Sequence, residues 1–459
     1  MVSVRLGSQA SSRQRAASGR LKVSVVVCIA AFSAFLFAVG LTIRTYKRTR
    51  DQAGAFESSP NVRKVEKAAP KIQTSKENSI TIAFAVSVTG CGSDPITEGA
   101  AVLKHSIHRA SIRGKGAGVN DDLKGRYDYE MFAIYHPDAK ECAAPLEKLG
   151  YKLMERNVFV NVDEIKGDFL RERIRDNGCC GEKELIKLEA YTLTDYPIVV
   201  HLDLDVLVLK PLDELFDMML HKTHMKPGAI VSNAIMWPEK PLPENINAFY
   251  TYDYNMVAPH KAKPVQGGFL VIRPDKAVYE EFRSIVLEGD FQQGGGWGGV
   301  VGPFHGSMTF QGIVPYFYDF LHPGQSVELN RCIYNQMCDN PRDKKTVNDV
   351  VNGKCRTGQE ECEDCRSRPL EDVVTIHFTL CQKPWWCLTH SQDMIQHRLC
   401  RKLTREWYRI RADLEASWGR SEKGPYDNDI DHFFGYCSRS GDKGYQAIKE
   451  PYGQPVAAE

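Results

Sequence analysis

Residues 197–216 read PIVVHLDLDVLVLKPLDELF. An apolar run carries the chain into Asp203-Leu204-Asp205, and a second apolar run carries it away. Side chains alternate along a strand, so Asp203 and Asp205 are expected to point the same way from one. Two carboxylates bracketed by apolar residues are costly to bury unpaired. A divalent cation answers that cost, because hard cations prefer oxygen ligands, and a diphosphate brings further oxygens to the same ion. The alternative is a pair of carboxylates that bond locally in a turn at a strand end. The spacing alone is weak, since Asp-x-Asp arises by chance about once or twice in a chain this long. It recurs at Asp427, Asp429 and Asp431, beside His432. That stretch is polar and reads as a solvated loop.

Outward from the acidic pair, strand-like and helix-like stretches alternate. Ile80–Val88 is an apolar, β-branched run, and Thr97–Arg113 carries apolar residues at helical spacing. Tyr129–Tyr135 reads as a strand, Ala139–Leu149 as a helix and Lys152–Val160 as a strand. Glu182–Tyr196 is helical in pattern, and Ile198–His201 opens the strand that leads to Asp203. Such alternation predicts an α/β fold, a mostly parallel sheet with helices on both faces. Sheets of this kind bind ligands at the carboxyl ends of their strands. Gly294–Gly302 is expected to be a loop that helps close the site, and Ser391–Trp418 a C-terminal helix.

The chain has 459 residues, with 59 Lys+Arg against 58 Asp+Glu, so its charge makes no case for nucleic acid as the partner. Its 14 cysteines point to an oxidising compartment and to disulfides whose pairing stays open. Most fall between Cys332 and Cys437. Cys355, Cys362 and Cys365 are alternatively part of a zinc site. Residues 23–43 carry no charge and suffice to span a bilayer as a helix. Arg5, Arg13, Arg15, Arg20 and Lys22 precede them, which favours a cytosolic N-terminus. A cleaved signal peptide is the alternative. The expected organisation is a cytosolic tail (1–22), a transmembrane signal anchor (23–43), a stem (44–79) and a catalytic domain (80–390). That domain turns cysteine-rich from about residue 330, and a C-terminal helix and tail (391–459) follow. The expected residence is the Golgi membrane, as a single-pass type II protein with its catalytic domain in the lumen.

A second apolar strand, Val373–Phe378, runs into His377 and then Lys383. A neutral imidazole completes a ligand set with two carboxylates, and that set suits manganese somewhat better than magnesium. A lysine at residue 383 places a point charge on a phosphate. Alone, His377 reads as a core histidine and Lys383 as a surface residue.

Four blocks taken together resemble glycosyltransferase family 8, the glycogenin-like retaining enzymes, and within it the plant glycogenin-like and glucuronosyltransferase branch. They are IKLEAYTLTDYPIVVHLDLDVLVLKPLDELF, PVQGGFLVIRP, TFQGIVPYFY and HFTLCQKPW, and the resemblance spans about residues 80–390. It implies a nucleotide-diphospho-sugar transferase fold of the GT-A type, a UDP-sugar donor and a divalent metal, usually manganese. Asp203, Asp205 and His377 match the family's metal ligands. Lys383 matches its diphosphate lysine, and Lys187 a donor-binding lysine. Ser87, Val88 and Thr89 fall where the family holds uridine. Gln266, Gly267 and Gly268 match a block near the donor sugar that usually reads Asn-Ser-Gly. Gln311 matches an amide beside the reacting carbon and, with Asp205, is the catalytic candidate. Asp253 and Asn255 are candidates for acceptor contact. The implied activity moves a hexosyl or glucuronosyl group, with retention, to a glycan, protein or lipid. Two other classes stay open: a membrane-tethered glycan-binding protein without catalysis, and a metal-dependent phosphodiesterase.

Overall fold

The computed structural model describes residues 79–114, 124–220, 231–256, 262–340, 342–345, 351–387, 398–420, 430–437 and 444–449, all within one compact unit, Pro70–Glu459. The expected tail, membrane span and stem over 1–78, and the acidic residues Asp427 and Asp429, lie outside the described residues. Among the described residues no helix is long and apolar enough to cross a membrane.

Among the described residues thirteen strands follow in chain order: β1 (Thr81–Val88), β2 (Asp128–Tyr135), β3 (Lys152–Glu155), β4 (Val199–Leu202), β5 (Val206–Val208), β6 (Ala248–Tyr252), β7 (Val265–Ile272), β8 (Phe291–Gln292), β9 (Gly296–Trp297), β10 (Ser326–Glu328), β11 (Arg342–Lys345), β12 (Val351–Cys355) and β13 (Thr375–His377). Seven of them form the main sheet, in the order β10-β6-β7-β4-β1-β2-β3. Only β7 runs antiparallel to its neighbours β4 and β6; the other pairings are parallel. The longer helices are α1 (Ile96–Arg109), α2 (Lys140–Lys148), α3 (Asp213–Leu220), α4 (Lys276–Glu288) and α5 (Arg398–Ser417).

The unbroken apolar run of β1 has a simple cause: both faces of the sheet are covered. Ile82, Phe84 and Val86 enter one core with residues of α1, α2, α3 and α5, while Ala83 and Ala85 enter another with Leu185, Phe282 and Val314. Each fully buried aliphatic or aromatic side chain of this kind contributes about 1.5–3 kcal/mol relative to exposure. Helix α5 lies over α1 and gives Leu403, Trp407 and Leu414 to the first core. It occupies most of the stretch expected to be helical at 391–418.

Three expected elements differ in form. The strand expected over 152–160 stops at Glu155. Past Arg156 the chain leaves the sheet edge, so that Val160, Val162 and Ile165 fill the second core. The helix expected over 182–196 is a 3-10 helix, Gly181–Thr192. Its three-residue repeat sets Glu184 and Lys187 one above the other, with Lys187 Nζ 3.7 Å from Glu184 Oε1. The glycine-rich stretch 294–302 is built on the small hairpin β8–β9, with Trp297 fully buried and donating from Nε1 to the Ser307 carbonyl at 2.8 Å. In addition, Asp431 and His432 lie in a short 3-10 helix, Ile430–Gly435, instead of the expected loop.

The described cysteines form five disulfides: Cys91–Cys142, Cys332–Cys365, Cys355–Cys362, Cys381–Cys400 and Cys387–Cys437. They resolve the zinc alternative, because Cys355, Cys362 and Cys365 all spend their thiols on sulfur–sulfur bonds. Cys338 lies beside Cys381 and Cys400, but those two partners are bonded to each other, so the trio is not a ligand set.

Arg411 of α5 is 1% exposed and closes the C-terminal segment onto α1. It donates to Glu415 Oε1 at 3.2 Å and to the Gln446 carbonyl, lies 3.8 Å from Glu98 Oε2, and stacks over Tyr436. Glu98, in the first turn of α1, also accepts from Tyr445 Oη and the Ile448 amide. Burial pushes its carboxyl upward against the pull of Arg411. Replacing Arg411 with alanine leaves both acids buried without their cation, and is expected to cost about 3–5 kcal/mol in denaturant unfolding. A loss below about 1 kcal/mol, the size of a surface pair, contradicts this.

Candidate metal and donor site

The acidic pair does not lie on a strand. Asp203-Leu204-Asp205 is a turn between β4 and β5, closed by the Val206 amide donating to the Asp203 carbonyl at 3.1 Å. The turn is held from three sides. The Asp203 amide donates to the Gly268 carbonyl of β7 at 3.2 Å, and the Phe378 amide donates to the Asp205 carbonyl at 2.9 Å. Helix α1 presses on it at Gly99, where an added Cβ would stand 2.4 Å from the Leu204 carbonyl oxygen. Both carboxylates still converge, because the turn curls around the point they face.

His377 arrives there by strand pairing. β13 runs antiparallel to β5, with His377 opposite Val206, the residue after Asp205. Its Nε2 lies 3.3 Å from Asp205 Oδ1 and 3.9 Å from Asp203 Oδ2. One atom from each of the three side chains falls within 4.8 Å of the others. The room for the ring is made by Gly268, whose added Cβ would come within 2.3 Å of Cε1 and 2.4 Å of Nδ1. The Gly268 amide is pinned by Gln266 Oε1 at 2.7 Å, and that oxygen also accepts from Asn335 Nδ2 at 3.3 Å. Thus Gln266 and Gly268, expected near a donor sugar, shape the seat of the histidine.

The two expected lysines bracket the acids. Lys187 Nζ donates to Asp203 Oδ1 at 2.9 Å and to the Gly267 carbonyl at 3.4 Å. Burial pulls its ammonium downward, but Asp203 and Glu184 outweigh burial and hold it above the ordinary range. Lys383 pairs with Asp205 Oδ2. Burial drives the Asp203 carboxyl up, yet Lys187 and His377 prevail and hold it down at about 2. Burial depresses His377 to about 4, so the ring is neutral near pH 7, and its Nδ1 has no hydrogen-bond partner. Two carboxylates and one neutral imidazole are a donor set that fits a divalent cation such as manganese, with open positions for outside oxygens.

The remaining expected residues surround this centre unevenly. Gly267 faces Lys187, Phe310 and Gln311, so those four come together. Gln311 sits in the short helix Phe310–Pro315, with its Oε1 over Gly306. Ser87, on β1, pairs its Oγ with His201 Nε2 at 2.8 Å, Val88 is buried, and Thr89 follows the strand end. Asp253 is buried and pushed up to about 6 by burial. It accepts from the Asn255 amide at 3.0 Å, while Asn255 Nδ2 is buried without a partner.

Several buried polar residues that matter here escaped the sequence reading. Glu184 accepts from Thr309 Oγ1 and supports Lys187. Asn335 and Gln336 are fully buried, and the Gln336 carbonyl accepts from the His377 amide at 3.0 Å. Their one signal was the run NRCIYNQMCDN, in which amides recur around two cysteines.

The burial of His377 gives a pH prediction. A ring depressed to about 4 stays neutral as pH falls from 7.0 to 5.5, so manganese affinity over that window is expected to change by less than about threefold. An ordinary histidine, protonating near 6.5, would cost roughly tenfold over the same window. Calorimetric titration at the two pH values separates the outcomes.

No protein-family model matches the chain, and no curated protein matches it in sequence. Among solved structures it is similar to apo mouse xyloside xylosyltransferase 1, at 14% identity over 66% of this chain and 99% of that one, with a TM-score of 0.38. It is also similar to the galactosyltransferase LgtC in complex with donor and acceptor sugar analogues, at 15% identity, 71% and 96% coverage and a TM-score of 0.36. A third similar structure is the glycosyltransferase GlyE of Streptococcus pneumoniae TIGR4, at 11% identity, 72% and 63% coverage and a TM-score of 0.32. These are distant likenesses.

Proposed function

We propose that the chain is a metal-dependent, retaining glycosyltransferase that moves a hexosyl or glucuronosyl group from a UDP-sugar to a glycan, protein or lipid acceptor. The observation that carries the reading is the convergence of Asp203, Asp205 and His377 within 4.8 Å, with Lys187 and Lys383 paired to the two acids. The four sequence blocks that resemble glycosyltransferase family 8 support it, since each contributes a residue to this one place.

Asp203, Asp205 and His377 would hold manganese, or magnesium in its stead. Bound there, the cation supplies charge stabilisation to the diphosphate as the sugar–oxygen bond breaks. Lys383 turns its ammonium from Asp205 to a phosphate oxygen and adds to that stabilisation. Lys187 keeps Asp203 ionised and aimed. Gln311, beside Gly267, lies against the sugar, where its amide orients the reacting carbon. An amide is a poor nucleophile, so the acceptor hydroxyl attacks from the face that the diphosphate leaves. The bond from acceptor oxygen to the anomeric carbon forms as the bond to phosphate breaks, and the proton passes to the departing phosphate oxygen. The surrounding burial excludes water and limits donor hydrolysis.

The proposed residence is the Golgi membrane, with the catalytic unit luminal. The apolar run at 23–43 and disulfides that need an oxidising compartment support it. A panel of UDP-sugars incubated with the purified protein and manganese, followed by UDP release, tests the activity. One sugar is expected to be hydrolysed in a manganese-dependent way. Release from none of the panel sinks the reading.

A further inference from the structure

The residues leading into the 3-10 helix, with its first residue Gly181, read Asn177-Gly178-Cys179-Cys180-Gly181. Of the described cysteines, only Cys179, Cys180 and Cys338 are outside the five disulfides, and Cys338 is buried. Cys179 is exposed and Cys180 half-buried. Their Sγ atoms stand 2.6 Å apart, inside the contact distance of two unbonded sulfurs. The turn is shaped for this. Gly178 and Gly181 adopt φ of 68° and 59°, conformations that favour glycine, and the Gly181 amide closes the turn on the Asn177 carbonyl at 3.1 Å. An added Cβ at Gly181 would stand 2.3 Å from the Arg175 carbonyl oxygen, so the turn admits no side chain there.

The turn touches a segment that flanks the candidate site. Asn177 Oδ1 accepts from the Met308 amide at 3.0 Å, and Gly178 packs on Gly306, over which Gln311 lies. Hydrogen bonding from Cys179 holds the Cys180 thiol down at about 6, helped by Thr89 against burial. A thiolate at neutral pH is the nucleophile of disulfide exchange.

We propose that Cys179 and Cys180 form a reversible vicinal disulfide, a redox modification site whose state is read by the Gly306–Gln311 segment. The chemistry is exchange with a disulfide oxidant, a protein or glutathione disulfide. The Cys180 thiolate attacks one sulfur of that disulfide, forming a mixed disulfide and releasing the first thiolate. Cys179 then attacks the Cys180 sulfur, closing the ring and releasing the second. Two protein thiols are oxidised and one external disulfide is reduced to two thiols. Reversibility follows from adjacency. Neighbouring Cα atoms across a trans peptide are about 3.8 Å apart, closer than the usual span of a disulfide, and bonds forced from that span are more easily reduced. Oxidation ties the two sulfurs and shifts the turn, which Asn177 joins to Met308 and Gly178 to Gly306, and that is how the state reaches the site.

The test needs no sugar substrate. The full chain is equilibrated in glutathione buffers of increasing oxidised share, quenched with an alkylating agent, and cut with trypsin. The peptide 176–183, DNGCCGEK, holds both cysteines and no others. It is expected to pass from doubly alkylated to unalkylated and two hydrogens lighter as the buffer becomes oxidising, and to return on reduction. Double alkylation at every ratio, or each sulfur ending in a mixed disulfide, overturns the proposal. Hydrogen exchange on the two forms tests the coupling. Amides at 306–311 are expected to differ in rate by at least about threefold, and identical rates overturn it. Failure of the proposed transferase activity touches neither readout.

Discussion

The Asp205→Asn protein is expected to fold and to lose metal-dependent donor hydrolysis by about 10³-fold or more, equivalent to roughly 4 kcal/mol of transition-state stabilisation. The substitution keeps shape and removes charge. Asp205 is 7% exposed, lies 3.3 Å from His377 Nε2, and is the partner of Lys383. Its loss removes a cation ligand and leaves Lys383 without its acid, so the charge balance of the site shifts to positive before any cation arrives. A divalent ion is then repelled as well as under-ligated. The backbone of the turn is held by hydrogen bonds to Gly268 and Phe378 that do not involve the carboxylate, so the unfolding curve is expected to move little. UDP release with and without manganese is the measurement. Near-normal, manganese-dependent release from this variant removes Asp205 from the mechanism.

Gly268→Ala is expected to be nearly as damaging, although it adds one methyl group and removes no polar atom. The new Cβ would stand 2.3–2.4 Å from the His377 ring. Neither side can yield cheaply. The Gly268 amide is fixed by Gln266 and its carbonyl by Asp203, while His377 is held by the pairing of β13 with β5. The flexible part is the imidazole, which must rotate away from the carboxylates. Overpacking of this kind costs about 1–3 kcal/mol of stability, which a protein of this size survives. Metal affinity is expected to fall about 100-fold or more, above the range for disturbing an outer partner. The double variant Gly268→Ala with His377→Ala is the control, because the methyl then has room. Its affinity is expected to match that of His377→Ala alone, a strong departure from additivity. Additive losses would mean that the glycine acts on something other than the histidine.

What the sequence disclosed and what it withheld follow from range. The apolar runs at Ile80–Val88 and Tyr129–Tyr135 are local patterns, and they became β1 and β2 nearly at their expected bounds. The helix patterns after them held for the same reason. The acidic pair was visible because two apolar strands frame it, but its local backbone was not. Strand alternation was the wrong reason for the shared direction of Asp203 and Asp205, which comes from a turn gripped by β7 and β13. That grip joins residues about 65 and 175 positions away in the chain, beyond any window of local pattern. The same holds for the seat of His377. Gln266 and Gly268 stood out by resemblance as donor-site residues, and packing also makes them supports for an imidazole. The disulfide pairing was undecidable from spacing, since the number of possible connectivities rises steeply with cysteine count.

The most direct test of the central claim is diffraction from crystals grown with manganese and UDP, read at the manganese absorption edge. One anomalous peak is expected between Asp203, Asp205 and His377, with ligand atoms from all three within the coordination range of divalent cations, about 2.0–2.6 Å, and diphosphate oxygens completing the shell. A peak bound elsewhere, or no peak while UDP is present, would contradict the account.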